Sequence, residues 1–94
     1  MMNGMIIDRT DNVGVAIYGI KKGELISWRL PNGVTSSVVA EQDIPIYHKF
    51  SVRNITVNEP IVKYGQHIGK AGEDIAAGCH VHVHNVVSVR ENLE

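Results

Sequence analysis

The chain has 94 residues, 44% of them hydrophobic, and a formal charge of −1. This length supports one small domain with a modest core. The nine basic residues are scattered without forming a basic stripe, which argues against nucleic acid and anionic membranes as partners. No apolar segment approaches the length of a membrane span.

Two further features indicate the compartment. Cys79 is the single cysteine, so an internal disulfide is impossible and a reducing environment is favoured. The first residues lack the basic region and the apolar run of a signal peptide. We therefore expect a cytoplasmic protein that forms a single domain over residues 1–94.

The predicted secondary structure is a series of short strands, because Val, Ile and Thr are common and no long segment has apolar residues at helical spacing. The first predicted strand places Val13, Val15 and Ile17 on one face. Pro31-Asn32-Gly33 is a strong hairpin signal. The predicted strands cover residues 12–20, 25–30, 34–39, 50–52, 61–64 and 80–89, with a helical turn over 40–43. The fold class is therefore mostly β.

A weak repeat runs through these segments: an isoleucine, a turn residue three positions later, and a large apolar residue after three more. The copies are Ile20-Gly23-Ile26, Ile44-Tyr47-Phe50, Ile55-Asn58-Ile61 and Ile75-Gly78-Val81. Gly and Asn tolerate left-handed backbone well, so the repeat predicts a recurring corner in which the last residue packs on the isoleucine. A chance pattern is the alternative. At a turn position with positive φ, Tyr47 would be strained, and strain gathers near functional sites.

The segment from His80 to Asn85 alternates histidine with valine. In a strand this spacing places His80, His82 and His84 on one face and the valines on the other, where they would pack inward. At roughly 3.3 Å per residue the outer two histidines stand about 13 Å apart, so without a bend at most a neighbouring pair binds one metal ion. Zinc, iron, copper or nickel would suit imidazole ligands. The alternative is a solvated sheet face.

Two other segments carry candidate ligand-binding groups. His48-Lys49 follows a proline turn, and the lysine could bind a carboxylate or act as a base if its pKa is lowered; ordinary surface polarity is the alternative. Lys63-Tyr64-Gly65 is as consistent with a strand that ends in a tight turn as with a ligand clamp. We expect Cys79 to be a small buried hydrophobe.

Several segments in this order resemble the SAF domain of the altronate and galactarate dehydratase family. They are Asp11-Asn12-Val13-Gly14-Val15-Ala16, Asp43-Ile44-Pro45, His48-Lys49, Ile61-Val62-Lys63-Tyr64-Gly65, Ile68-Gly69-Lys70-Ala71, Asp74-Ile75-Ala76-Ala77-Gly78 and His80-Val81-His82-Val83-His84-Asn85. The resemblance covers about residues 11–85 and implies a β-clip fold of short twisted strands and hairpins. Two positions depart from it, because Tyr47 and Asn58 stand where glycine is common in the family.

The resemblance also implies a function. Members of this family are metal-dependent enzymes, often using iron, that remove water from sugar acids, and the SAF domain is either the start of a long dehydratase or a separate small subunit. A related lyase with separate subunits acts on sulfolactate and releases sulfite. Because this small chain offers few catalytic candidates, we expect a small subunit of an acid-sugar hydro-lyase that is inactive alone. It would complete or cover the active site of a large subunit and share with it a divalent metal, iron.

On this hypothesis the residues have the following roles. His82 and His84 contribute to catalysis, and His80, His82 and His84 supply metal ligands. His48, Lys49 and Asn85 bind the sugar acid, with Lys49 attracting its carboxylate and Asn85 orienting a neighbour. The rivals are a sugar-acid-binding or assembly module without a catalytic role, and the small subunit of a sulfolactate-type lyase. The identity of the acid, the leaving group and self-association, as in a homo-oligomer, stay open.

Overall fold

A computed structural model describes residues 2–88, which form nine short strands and no helix. The strands are β1 (Gly4–Met5), β2 (Val13–Ala16), β3 (Leu25–Arg29), β4 (Thr35–Val39), β5 (Lys49–Ser51), β6 (Pro60–Lys63), β7 (Gln66–Ala71), β8 (His80–Val81) and β9 (Val86–Val87). The mostly-β prediction is confirmed. The helical turn predicted over 40–43 is wrong, since this stretch contains only a bend and the isolated bridge at Ile44. No helix within the described residues could cross a membrane.

Three small antiparallel sheets organise these strands. The first has the order β1-β2-β5-β8, the second is the β3-β4 hairpin, and the third has the order β6-β7-β9. In the first sheet Lys49 lies opposite Val15 on one side and Val81 on the other, and Phe50 lies opposite His80. This register brings the His48-Lys49 segment beside the start of the histidine-rich segment.

The four predicted corners are present. Ile20 and Ile44 form one isolated antiparallel bridge, and Ile55 and Ile75 form another, so the corners associate as two pairs. The turn position of each has positive φ: 92° at Gly23, 69° at Tyr47, 72° at Asn58 and 88° at Gly78. The closing residues Ile26, Phe50, Ile61 and Val81 are all completely buried. The repeat is therefore structural, and Tyr47 occupies the strained position anticipated for it.

The core consists of two clusters that match the two pairs of corners. One surrounds Phe50 and contains Trp28, Ile20 and Ile44. The other surrounds Val81 and contains Val13, Ile55, Ile61, Ala71 and Ile75. Because Phe50 and Val81 belong to the paired strands β5 and β8, the β5–β8 pair connects both clusters and is held rigidly at its centre.

Two predicted strands are shorter than expected. β2 ends at Ala16, so Ile17 lies beyond it and is half-buried. The strand predicted over 80–89 is interrupted by a turn between β8 and β9, and its last residue lies outside the described part of the chain. Val81 is buried as predicted, but Val83 is 80% exposed, so the expectation that both valines pack inward is wrong for Val83.

Candidate metal centre

The turn that interrupts the histidine segment is built by the Asn85 side chain. Its Oδ1 accepts the His82 N–H at 2.9 Å, and its Nδ2 donates to the His80 carbonyl oxygen at 2.9 Å. Asn85 is 5% exposed, so both bonds are sheltered from water. A short amide side chain that bonds nearby backbone competes with ladder pairing, and here it bends the chain immediately after Val81. Asn85 thus fixes the backbone of His80 and His82, and its assignment as a substrate-binding residue stays a prediction.

The bend gathers three imidazoles from two chain segments, with His48 just before β5, His80 in β8 and His82 just after β8. His48 Nδ1 lies 2.9 Å from His80 Nε2. The His48 and His82 rings stack with centroids 4.2 Å apart and an interplanar angle of 20°. One ring nitrogen from each of the three residues lies within 4.8 Å of the other two. We call this set the histidine trio.

The trio differs from the set of metal ligands predicted from the sequence, because His48 takes a place that was assigned to His84. The ring of His84 lies 5.2 Å from that of His80, tilted by 37°, and this side chain is exposed. The corner at Ile44 determines where His48 lies, since it turns the chain directly into β5. The repeat thus predicts the corner that carries His48 to β5, whereas the contact with His80 depends on the pairing of β5 with β8.

One nitrogen of the trio has no partner among the described residues. His82 Nδ1 is buried and makes no hydrogen bond. Buried polar atoms in native proteins are nearly always satisfied, so an exception needs an explanation. A metal ion is one group that satisfies a bare imidazole nitrogen.

Burial and neighbouring charges disfavour protonation of two rings of the trio, His80 and His82. Burial lowers the pKa of His80, and His48, His84, His82 and Lys49 lower it further through their charges. Desolvation also lowers the pKa of His82, with added repulsion from His48, Lys49 and His84. A metal ligand must be a neutral imidazole, so the shifts favour the state that binds a metal.

Two neighbours complete the surroundings of the trio. Lys49 is half-buried, and its pKa is lowered by burial and by the charge of Lys63. Gln42, which sequence reasoning missed, accepts the His80 N–H through Oε1 at 2.9 Å. Gln42 reaches His80 because β8 lies beside the corner at Ile44. This long-range arrangement has no local sequence pattern that would have predicted the role of Gln42.

Each member of the trio is half-buried. Four cavities of about 310 to 430 Å³ on the described residues are lined by other side chains. The largest of them is lined by Arg9, Leu30, Pro31 and Asn32. The trio lines none of these four cavities.

Known proteins resemble this chain over most of its length. The family model described as the altronate/galactarate dehydratase SAF domain matches residues 2–89. The alpha subunit of (2R)-sulfolactate sulfo-lyase from Chromohalobacter salexigens is 34% identical over 88 residues, which are 92% of this chain and 94% of that protein. Altronate dehydratase from Bacillus subtilis is 40% identical over 79 residues, and that from Escherichia coli is 40% identical over 87. These matches cover 84% and 93% of this chain but only 15% and 16% of the two dehydratases.

Proposed function

The chain belongs to the altronate/galactarate dehydratase SAF-domain family, and on that premise we propose that it is the small subunit of a metal-dependent lyase of hydroxy acids. The observation that carries this proposal is the histidine trio, with its three converging nitrogens and the unpartnered Nδ1 of His82. The surface that carries the histidine trio would lie against the active site of a large dehydratase-type subunit. Two relatives are named as alpha subunits and two as whole dehydratases, which supports a second, larger component.

The trio fits a divalent metal. Its donors are nitrogens only, His82 Nδ1 lacks any other partner, and the lowered pKa values of His80 and His82 keep these rings unprotonated. Imidazole suits iron as well as zinc, and iron is our proposal for this chain. When bound, such an ion acts as a Lewis acid that stabilises charge developing on a carboxylate and on a departing hydroxyl. His48, His80 and His82 would hold it, with further ligands from the large subunit or the substrate.

The other residues would bind and orient the acid. The Lys49 amine, half-buried beside the trio, attracts the substrate carboxylate. His84 lies outside the trio on an exposed part of the same face, so its ring can exchange a proton with a bound acid. Asn85 keeps His80 and His82 at their relative positions through its two backbone hydrogen bonds.

The catalytic groups are divided between this chain and the large subunit, because the surface around the trio does not supply all of them. Within residues 2–88 the trio has no carboxylate ligand, and His84, the exposed imidazole beside it, would donate the proton to the departing hydroxyl. Removing a proton next to a carboxylate requires a positioned base in addition to charge stabilisation. We therefore assign that base to the large subunit, and expect no turnover from this chain alone.

The test compares the chain alone with its complex with the large dehydratase-type subunit of the same genome. The complex with ferrous iron should turn over a hydroxy acid, and His82→Ala should lower both its metal content and its turnover. His67→Ala, an exposed histidine on β7, is the matched control. Robust turnover by the chain alone would contradict the split-subunit proposal. If His82→Ala impaired only assembly, the domain would be an adaptor.

A further inference from the structure

The two hairpins of the fold, β3-β4 and β6-β7, repeat one hydrogen-bonded arrangement. Ala40, just after β4, donates its N–H to the Glu24 carbonyl oxygen, and Ala71, at the end of β7, donates its N–H to that of Glu59. β4 therefore corresponds to β7, and β3 corresponds to β6. Each hairpin has an inner edge, on β3 or β6, and an outer edge, on β4 or β7.

An asparagine closes each inner edge. Asn3 Oδ1 accepts the Ser27 N–H at 2.8 Å, and its Nδ2 donates to the Leu25 carbonyl oxygen at 3.1 Å. Asn12 closes β6 in the same way, and its Oδ1 accepts the Val62 N–H at 2.8 Å. These side chains occupy the backbone groups with which a further strand would pair.

The two outer edges differ. β9 covers the edge of β7, with Val86 opposite Ala71. In the part of the chain that the structure describes, β4 pairs with β3 alone. The Gly78 carbonyl oxygen accepts the Glu41 N–H just beyond the end of β4, and the chain then continues into β8. The edge of β4 thus has no strand beside it where the equivalent edge of β7 has one.

The uncovered edge presents backbone groups from alternate residues. The Leu30 N–H donates to the Val34 carbonyl oxygen at the hairpin end. In an antiparallel ladder every second pair exchanges hydrogen bonds, so Ser36 is the next position on β4 that bonds to β3. The N–H and C=O groups of Thr35 and Ser37 therefore point away from β3. Both residues are exposed, and no group within residues 2–88 bonds to their backbone on that side.

The sequence of β4 lacks the features that usually shield an edge strand. Charged side chains, proline and bulges generally prevent such an edge from pairing with another chain. Residues 34–40 contain neither a charged residue nor a proline, and the β3–β4 register runs without a shift. Their valines and threonine favour extended backbone. Two copies of this edge can therefore approach each other without placing like charges opposite one another.

We propose that β4 pairs with β4 of a second copy of this chain across a two-fold axis, which joins the two hairpins into one antiparallel sheet. With Ser36 opposite its own counterpart, Thr35 lies opposite Ser37 of the second copy. In this register every outward N–H and C=O of Thr35 and Ser37 has a partner. A second copy fits because a two-fold contact requires one self-complementary surface, and β9 on β7 shows that the equivalent edge accepts an antiparallel strand. The inference is independent of the proposed lyase activity.

The experiment measures self-association of the full chain by analytical ultracentrifugation, with a reductant and a metal chelator present. These additions prevent a disulfide at Cys79 or a metal ion at the trio from linking two copies. Wild type should be a dimer in concentration-dependent equilibrium with the monomer. Ser37→Pro removes an N–H that faces the second copy and no ladder bond to β3, so it should raise the dimer Kd at least about tenfold. Ser37→Ala is the matched control, because it keeps this N–H and should dimerise as wild type does.

Amide hydrogen exchange of the wild-type chain tests the same contact without a substitution. Exchange at Thr35 and Ser37 should slow as the protein concentration rises. A chain that stays monomeric, a dimer that the chelator dissociates, or equal Kd values for Ser37→Pro and Ser37→Ala would overturn the inference. Protection of these two amides only after the large subunit is added would also overturn it, because the edge would then pair with that subunit.

Discussion

His48 and His80 meet across the β5–β8 pair, with Nδ1 of the first 2.9 Å from Nε2 of the second, although 32 residues separate them in the chain. In a hydrogen bond between two ring nitrogens one N–H donates and the other nitrogen accepts, so at least one of the two imidazoles has an unprotonated nitrogen. The His82 ring stacks on that of His48 with centroids 4.2 Å apart, and its centroid lies 5.7 Å from that of His80. The three rings are therefore held together by the backbone register and the Asn85 turn before any ion arrives.

We predict that each member of the trio is needed for metal binding. His48→Ala, His80→Ala and His82→Ala should each weaken binding of Fe²⁺ or Co²⁺ by at least about tenfold, since even groups that only support a ligand cost that much. The affinity can be measured by competition with a chelator. His67→Ala should bind as wild type does. A variant without His48 that kept full affinity would exclude it from the site.

The stability of the metal-free chain should depend on pH through His80. Because its folded pKa is lowered by burial and by neighbouring charges, the unfolded state binds more protons just below the ordinary value of about 6.5. The contribution to stability is fully present above that value and is lost as the pH falls through the folded pKa. The Tm should therefore decrease on acidification below about pH 6.5. His80→Gln should flatten this dependence; an unchanged profile would show that His80 does not cause it.

Val81 and Val83 should respond differently to truncation. Val81 is completely buried between the clusters, so Val81→Ala should destabilise the fold by about 1–3 kcal/mol. Val83 is 80% exposed, and Val83→Ala should change stability by less than about 0.5 kcal/mol. Chemical denaturation of the two variants gives both values. Equal costs would mean that the segment continues as a strand after Val81.

Substitutions of Tyr47 test whether the backbone is strained at the corner that precedes His48. Its φ is 69° and its side chain is 73% exposed. Tyr47→Gly should stabilise the fold, because the relieved strain of roughly 1–2 kcal/mol exceeds the 0.5–1 kcal/mol entropic cost of glycine. Tyr47→Ala keeps the strain and removes the ring, so it serves as the control. A lower Tm for the glycine variant would assign a packing role to the ring.

The two pairs of corners differ at one capping hydrogen bond, in which a side chain beside one corner accepts a backbone N–H of its partner corner. Asn54 Oδ1 accepts the Ala77 N–H of the corner at Ile75, and Asp74 caps the corner at Ile55 in return. Asp43 caps the corner at Ile20, but the reciprocal position is Gly19, which has no side chain. A Cβ on Gly19 would meet nothing within 4 Å.

Gly19→Asn should therefore stabilise the fold by about 0.4–1 kcal/mol, through lower entropy of the unfolded chain and a new cap. Asn54→Gly should destabilise it by a similar amount for the converse reason. Thermal unfolding of both variants measures the effect. A neutral Asn54→Gly would contradict both contributions, the cap and the entropy of the unfolded chain.

Local sequence was enough to predict the corners and the hairpin. An isoleucine, a turn residue and a buried apolar residue at fixed spacing describe the backbone turn of one corner, because that turn is local. The pairing of the corners, as between Ile20 and Ile44, is long-range. Pro31-Asn32-Gly33 likewise determined the β3–β4 hairpin. Even the strain at Tyr47 followed from its place in the repeat.

The arrangement of the trio was decided by tertiary structure. Alternation of histidine and valine predicts a continuous strand, but the Asn85 side chain replaces ladder hydrogen bonds with its own and turns the chain after Val81. The partnership of His48 with His80 depends on the β5–β8 register, which is fixed by the packing of two core clusters. The sequence alone therefore determined which residue types and local turns were available. Which imidazoles meet depended on long-range packing, because its energy is shared among residues far apart in the chain.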